Sequence, residues 1–108
     1  MSYEMLMEKL NFVIYGENKW RLRKPTVRFD GTPSITLNVH GLSAKDAKRL
    51  IMNVINVLQG KVILTIIHGY KHGTAIKDML ADENFNGRLT ERSCPKCNPG
   101  LTNLQIAA

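Results

Sequence analysis

The clearest hydrophobic pattern in the chain is a short strand-like run followed by a helical one. SITLNV, at positions 34–39, is rich in β-forming residues and leads into a His-Gly pair. In the next stretch, LSAKDAKRLIMNVINVLQG, apolar residues recur at helical spacing, and Ser43 and Asp46 have the spacing of a capping box. The pattern predicts a strand and then an amphipathic helix, which Gly60 can terminate.

A second strand and a second helix follow at once. KVILTII, at 61–67, is almost entirely apolar, which is typical of a central parallel strand covered on both faces. TAIKDMLADE has apolar residues at helical spacing, and Thr74 can cap its N-terminus. LTNLQI, at 101–106, predicts a closing strand, and a weaker strand is predicted within 88–92. We therefore expect a sheet of four strands.

Residues 1–33 have a less regular pattern. SYEMLMEKL predicts a short helix, whereas NFVIY, WRLRK and TVRF are each typical of strands, and Gly and Pro residues separate them. We expect this segment to be an N-terminal extension packed on a core domain formed by residues 34–108. The chain has 108 residues and no internal repeat or Pro-, Gly- or Ser-rich linker, which indicates one compact domain.

The net charge favours a polyanionic partner. Lysine and arginine number 15 against 9 acidic residues, which gives a formal charge of +6. This charge favours nucleic acid or an anionic membrane surface, and the alternative is a basic protein without such a partner. The charge is densest in KWRLRK, at 19–24, which contains the only tryptophan, Trp20. An aromatic residue among cations can stack on a base while Arg21 and Arg23 contact phosphates, but a half-buried strand shows the same alternation. Both interpretations stay open.

Two further features bear on where the protein acts. No apolar run approaches the length of a bilayer span, so we expect no membrane partner. The N-terminal MSYEMLMEKL lacks the cationic start and long apolar stretch of a secretory signal, which favours the cytoplasm.

The two cysteines, Cys94 and Cys97, both lie in SCPKCNPG. In a reducing compartment two thiols do not indicate a disulfide framework, and they supply only two of the four ligands of a structural zinc ion. The pair is either an incidental or redox-active loop pair, or half of a zinc site completed by histidines or by a second chain.

A His-Gly pair follows each of the first two core strands. Because a strand-helix-strand unit has parallel strands and a right-handed crossover, His40-Gly41 and His68-Gly69 should emerge at the same edge of the sheet. Ligand crevices of open α/β sheets lie at this edge, and helix N-termini beside it favour phosphate. The alternative is a structural histidine beside a turn glycine. The repetition favours an anion site and predicts that both histidine side chains face one crevice.

These residues resemble a known family. NVHGLSAKDA, followed after one helix and one strand by IIHGYKHGTAIKDML, resembles the Smr (small MutS-related) domain, and NPGLTNLQI resembles its closing Gly-x-Thr strand. The resemblance covers 34–81 well and 98–106 loosely. It implies a two-layer βαβαββ sandwich with a mixed four-stranded sheet, similar to the C-terminal domain of bacterial translation initiation factor three. It also implies binding of DNA or RNA, which several family members nick or cleave.

The resemblance also assigns residues. His40 corresponds to the histidine of the first motif, His68 and Gly69 open the second, and Gly73 is its later glycine. The second loop reads Gly-Tyr-Lys-His-Gly where the family has a shorter Gly-Lys-Gly. Asn38 stands where the family usually has an aspartate, on the same strand face as the first histidine. An asparagine amide can orient an imidazole but lacks the charge of a carboxylate.

We therefore expect a nucleic-acid-binding site, with or without phosphodiester cleavage that is either metal-independent or assisted by Mg²⁺ or Mn²⁺. The residues expected to serve the chemistry are His40, as the proton-transfer group, Asn38, which would fix its ring, and His68, which would help to hold a phosphate. Those expected to contact the substrate are Gly69, Lys71, His72, Gly73, Thr74, Lys77, Arg21 and Arg23. The alternatives are a binding or regulatory module without catalysis and a structural dimer linked by zinc.

Overall fold

The computed structural model of the protein describes residues 3–69, 74–95 and 100–107. Its elements are, in chain order, α1 (Tyr3–Val13), a 3₁₀-helix (Gly16–Arg21), β1 (Thr26–Val27), β2 (Pro33–Asn38), α2 (Ala44–Val57), β3 (Val62–Ile67), α3 (Ala75–Ala81), β4 (Leu89–Ser93) and β5 (Leu101–Ile106). The predicted α/β class is confirmed. None of the helices in the described residues is long and apolar enough to cross a membrane.

The strands form one mixed sheet in the spatial order β1-β2-β3-β5-β4. β2 and β3 are parallel neighbours, and β5 lies antiparallel on the other side of β3. The predicted parallel pair and the central place of β3 are therefore confirmed. The predicted number of four strands is wrong, because Thr26 and Val27 pair with Ser34 and Pro33 and add a short fifth strand.

The core lies between the helices and one face of the sheet. Along β2, β3 and β5 every second residue is buried, and these residues join the buried faces of α1, α2 and α3 in one cluster. The prediction that β3 is covered on both faces is wrong, because Ile63, Thr65 and Ile67 are only half-buried. A shallow groove of about 370 Å³ runs over this open face, lined mostly by hydroxyl and amide side chains.

The N-terminal helix is longer than predicted. Leu6, Leu10 and Ile14 recur every fourth residue, and all three are buried in the core cluster. This spacing is that of one helix face. The strand predicted for NFVIY is therefore wrong, because most of that stretch continues α1 to Val13.

The strand predicted for WRLRK is also wrong. Its first residues belong to the 3₁₀-helix, and only Leu22 forms a β-bridge, which is antiparallel to Leu37 of β2. The next residue, Arg23, donates its backbone N–H to the Thr36 carbonyl over 3.0 Å. The segment thus runs along the outer edge of β2 and brings the end of the 3₁₀-helix to the C-terminal end of that strand.

The start of α2 agrees with the capping prediction. The Ser43 hydroxyl accepts a hydrogen bond from the Asp46 N–H over 3.1 Å. The helix ends at Val57 with Leu58 as its C-cap, and Gly60, at φ 77°, lies in the turn beyond it rather than at the cap. This capped start fixes the direction in which the chain leaves the end of β2.

Arg88 connects three parts of the fold. Its guanidinium donates to the carbonyls of Ile55 and Leu58 at the end of α2, over 2.8 and 2.9 Å, and to that of Ala107 after β5, over 3.1 Å. A cation is favourable at a helix C-terminus, where carbonyls lack helical partners. Arg88 therefore holds the last turn of α2 against the end of the chain.

Replacing Arg88 by alanine is expected to lower the free energy of unfolding by roughly 2 to 4 kcal/mol, because charged hydrogen bonds are lost and part-buried carbonyls are left unpaired. Urea unfolding followed by circular dichroism measures this. Lys48→Ala, at an exposed position of α2, is the matched control and should change stability little. Equal stabilities for the two variants would contradict the role given to Arg88.

Candidate functional site

The two His-Gly pairs lie side by side at one edge of the sheet. The Val39 N–H donates to the Ile67 carbonyl over 2.8 Å, and a Cβ placed on Gly69 would lie 3.7 Å from the Cβ of His40. The prediction that both pairs emerge at the same edge is confirmed. Gly69 has φ 74°, a conformation that favours glycine, so this turn beside His40 depends on the missing side chain.

Asn38 orients the exposed His40. Its Oδ1 accepts the backbone N–H of His40 over 3.0 Å and also contacts Nδ1 of the imidazole. Because a backbone N–H can only donate, the atom is the amide oxygen, and the ring nitrogen facing it carries the proton. In its neutral form the ring therefore presents the lone pair of Nε2. This is the contact by which Asn38 would fix the ring for proton transfer.

The end of the 3₁₀-helix closes over the same edge. Nη1 of Arg21 donates to the carbonyls of Asn38 and His40 over 3.3 and 3.0 Å, and its Nε donates to Oδ1 of Asn18 over 3.1 Å. Its guanidinium also lies 4.5 Å from the centroid of the Trp20 ring. Trp20 in turn meets His40 in a T-shaped contact, with ring centroids 5.8 Å apart. These contacts join three side chains, Trp20, Arg21 and His40, which we call the edge cluster.

Arg21 keeps donors for an outside partner. Asn18, Asn38 and His40 engage three of its five N–H groups, and no residue in the described ranges accepts those of Nη2. A guanidinium is a planar fork of donors that suits phosphate oxygens. Because Arg21 is already fixed, it would lose little side-chain entropy when an anion binds.

His68 takes a different place from the one predicted. Its side chain is only 8% exposed, and its Nδ1 and Nε2 lie 2.8 Å from the Gly69 carbonyl and the Thr102 hydroxyl. The backbone N–H groups of His68 and Gly69 both donate to the Gly100 carbonyl over 2.9 Å. These bonds connect the end of β3 to the start of β5.

The prediction that both imidazoles face one crevice is therefore wrong. Strand alternation places His68 on the helix-covered side with Ile66, whereas His40 is exposed. Binding of a phosphate by the His68 imidazole, the role predicted for it, would require one of its two ring hydrogen bonds to break. Its observed contacts are those of a residue that positions the sheet edge.

Thr74, Lys77 and Arg23 are the remaining described residues among those predicted to contact the substrate. Thr74 is the N-cap of α3, but its hydroxyl donates to the Asp78 carboxylate over 2.8 Å and does not accept from a helix amide. Asp78 thus already supplies a negative charge at this helix start, which disfavours a phosphate there. Lys77 is half-buried, and the side chain of Arg23 is exposed beside β2.

Part of the predicted chemistry lies outside the described residues. This applies to the loop residues Lys71, His72 and Gly73 and to Cys97, so their phosphate contacts and zinc binding stay predictions. Cys94 is exposed and free. In the described ranges no group of three His, Cys, Asp or Glu side chains converges on a metal position. The amide oxygen of Asn38 already accepts two N–H groups of His40, so Asn38 is not placed to hold Mg²⁺ or Mn²⁺.

Two residues that build this edge were not predicted. Thr102, which pairs with His68, lies in the Gly-x-Thr strand on which the family resemblance partly rests, and that motif is the signal that points to it. Asn18, which holds Arg21, has no comparable signal. Its contact depends on the 3₁₀-helix, which the pattern of the sequence did not predict.

Comparison with known proteins assigns the chain to no family. No protein-family model matches the chain, and neither a curated protein nor a solved structure matches it. The resemblance to the Smr domain therefore rests on the sequence motifs alone.

Proposed function

We propose that the protein binds nucleic acid at the edge cluster. One observation carries the proposal: the guanidinium of Arg21 is fixed beside an exposed tryptophan and an exposed histidine, and its Nη2 donors have no acceptor among the described residues. A phosphate can accept from Nη2 of Arg21, and the net charge of +6 attracts the polyanion to the surface.

The motifs support a more specific class, an Smr-like domain acting in the cytoplasm. From β2 to β5 the order of elements is strand, helix, strand, helix, strand, strand, which is the order that the resemblance implies. The proposed likeness to the C-terminal domain of translation initiation factor three is to this part of the chain. The N-terminal extension contributes Trp20 and Arg21, which lie outside the resemblance.

Cleavage is the second candidate activity, and the geometry of His40 favours it. Nε2 faces away from Asn38 and has no hydrogen-bond partner among the described residues, so it can take a proton from an attacking hydroxyl or water, as a general base does. The amide of Asn38 orients the ring but does not stabilise the imidazolium as a carboxylate would. We therefore propose binding as the main function and slow cleavage as its extension.

The proposed binding should weaken steeply with salt. Each phosphate contact releases counterions, which gives log K against log salt a slope of about −0.7 per contact for single strands and about −0.9 for duplex. Fluorescence anisotropy of a labelled oligonucleotide between about 50 and about 200 mM salt measures the slope. An affinity that stays constant over this range would argue against a phosphate-binding site.

A panel of labelled single-stranded and double-stranded DNA and RNA tests the proposed function as a whole. Each is scored for binding and for cleavage with Mg²⁺, Mn²⁺ or EDTA. We expect binding in all three conditions and at most slow cleavage. Failure to bind any member of the panel would contradict the proposed function. A separate metal analysis of the purified protein tests the zinc-linked dimer, which predicts about half an equivalent of zinc per chain.

A further inference from the structure

We infer that the edge cluster recognises an unpaired nucleotide, with Trp20 as the surface on which its base stacks. This inference rests on the proposed function and adds the class of nucleic acid, namely single strands or unpaired loops. DNA and RNA share the chemistry that Trp20 and Arg21 would recognise, an unpaired base next to a phosphodiester. The test below separates them.

Trp20 is both exposed and fixed. More than half of its side chain, 57%, is accessible to solvent. The guanidinium of Arg21 packs on its ring, and the ring of His40 meets it with an interplanar angle of 66°. An aromatic ring held in this way offers a large contact area and loses little freedom when a base stacks on it.

Trp20 and Arg21 together match the two parts of a nucleotide. The indole provides a π-surface for a base, and Nη2 of Arg21 provides donors for the adjoining phosphate. Trp20 and Arg21 are successive residues of the 3₁₀-helix, so the relative position of the indole and the guanidinium is set before any ligand binds. Stacking on aromatic residues together with a basic backbone contact is the usual mode of single-strand recognition.

A base inside a duplex does not suit this arrangement. Both of its faces are stacked on neighbouring base pairs, and only an unpaired or terminal base exposes a face to an aromatic side chain. A groove of about 300 Å³ lies next to the cluster, because Asn18, which accepts a hydrogen bond from Arg21, is one of its lining residues. Tyr15, 71% exposed, and Leu42 line the same groove, which offers a flexible strand room for its next nucleotide.

Stacking of a base on Trp20 can be followed by intrinsic tryptophan fluorescence, because Trp20 is the only tryptophan in the sequence. The probes are single-stranded DNA and RNA of one sequence, roughly ten nucleotides long, their duplexes, and an abasic DNA strand of equal length. We expect the single strands to bind more tightly than the duplexes and to quench the tryptophan fluorescence. The abasic strand keeps the phosphates and should bind without quenching.

Substitution of Trp20 separates stacking from simple support of Arg21. Trp20→Ala should weaken binding of the single strand about 5- to 100-fold, and Trp20→Phe should retain part of the affinity. Affinity for the abasic strand, read by anisotropy, should change little in either variant. An equal loss for intact and abasic strands would show that the ring only supports the guanidinium, and would overturn the inference.

Phe29→Ala is the matched control. Phe29 is also an exposed aromatic residue, 99% accessible, but it lies beyond the opposite end of β2, about 20 Å from the edge cluster for a strand of this length. Backbone bonds from Arg28 to Thr32 and from Thr32 to the Asp30 carboxylate hold its turn without the phenyl ring. Its removal should leave both affinity and quenching unchanged, and a loss equal to that of Trp20→Ala would contradict the inference.

The outcomes distinguish this inference from the function on which it rests. Salt-sensitive binding that is equal for single strands and duplexes, without quenching, would overturn the stacking role and leave nucleic-acid binding in place. No binding of any probe would overturn both. Preference between the DNA and RNA single strands identifies which polymer supplies the unpaired base.

Discussion

Replacing Asn38 by aspartate is expected to raise the rate of phosphodiester cleavage by about 10²- to 10⁴-fold. The new carboxylate can accept the same two N–H groups of His40 that the amide oxygen accepts, so the ring should keep its orientation. Its negative charge stabilises the imidazolium that forms when Nε2 takes a proton. Fold and binding should stay close to those of the wild type, because the two side chains have nearly the same size.

The measurement is cleavage of the best-bound substrate by wild type, Asn38→Asp, His40→Ala and the double variant, in EDTA and in Mg²⁺. Loss of the added activity in the double variant excludes a contaminating nuclease. A wild type that cleaves as fast as Asn38→Asp would show that the carboxylate is dispensable. Full activity in His40→Ala would place the chemistry elsewhere.

Replacing Arg21 by alanine is expected to lower affinity for all sequences by about 10- to 100-fold, because one change removes the fixed phosphate donors and the cation packed on Trp20. Arg23→Ala is the matched comparison. Its side chain is exposed, so its loss should lower affinity for all sequences by less and reduce the salt slope by about 1.

Arg21→Lys refines this test. Lysine keeps the charge but lacks the planar guanidinium that reaches Asn18, Asn38 and His40 together. The affinity of Arg21→Lys for nucleic acid should therefore be nearer to that of Arg21→Ala than to that of wild type. The measurement is the dissociation constant of wild type and of each variant for several oligonucleotide sequences at one salt concentration. Equal losses for Arg21→Ala and Arg23→Ala, or a loss confined to one sequence, would contradict the role of Arg21.

The part of the fold that the sequence predicts well is the part whose signals are local. The apolar spacing of α2 and the cap at Ser43 are properties of a few neighbouring residues, and the structure has both. The parallel pairing of β2 and β3 follows from the helix between them, since such a connection permits little else.

The sequence predicts the secondary structure of the N-terminal segment less well, because two local signals conflict there. The β-branched and aromatic residues of NFVIY favour a strand, whereas Leu6, Leu10 and Ile14 form one helix face only when the whole stretch is considered together. Burial of that face in the core decided the outcome in favour of α1.

The sequence likewise predicts only part of the candidate site. Topology predicts that His40 and His68 lie at one edge of the sheet, because the strands that precede them are parallel. It does not predict that His68 is buried, because its partner Thr102 is 34 residues away on β5. Nor does it predict that Arg21 reaches the His40 carbonyl, which depends on the pairing of the next residue, Leu22, with Leu37 of β2.

The central claim, that nucleic acid binds at the edge cluster, is tested most directly by titrating ¹⁵N-labelled protein with a single-stranded oligonucleotide and following its two-dimensional amide spectrum. We predict that the largest shifts occur at the indole N–H of Trp20 and at the backbone amides of His40, Gly41 and Gly69. Shifts confined to the open face of the sheet around Ser34 and Asn103, or an unchanged spectrum, would contradict the claim.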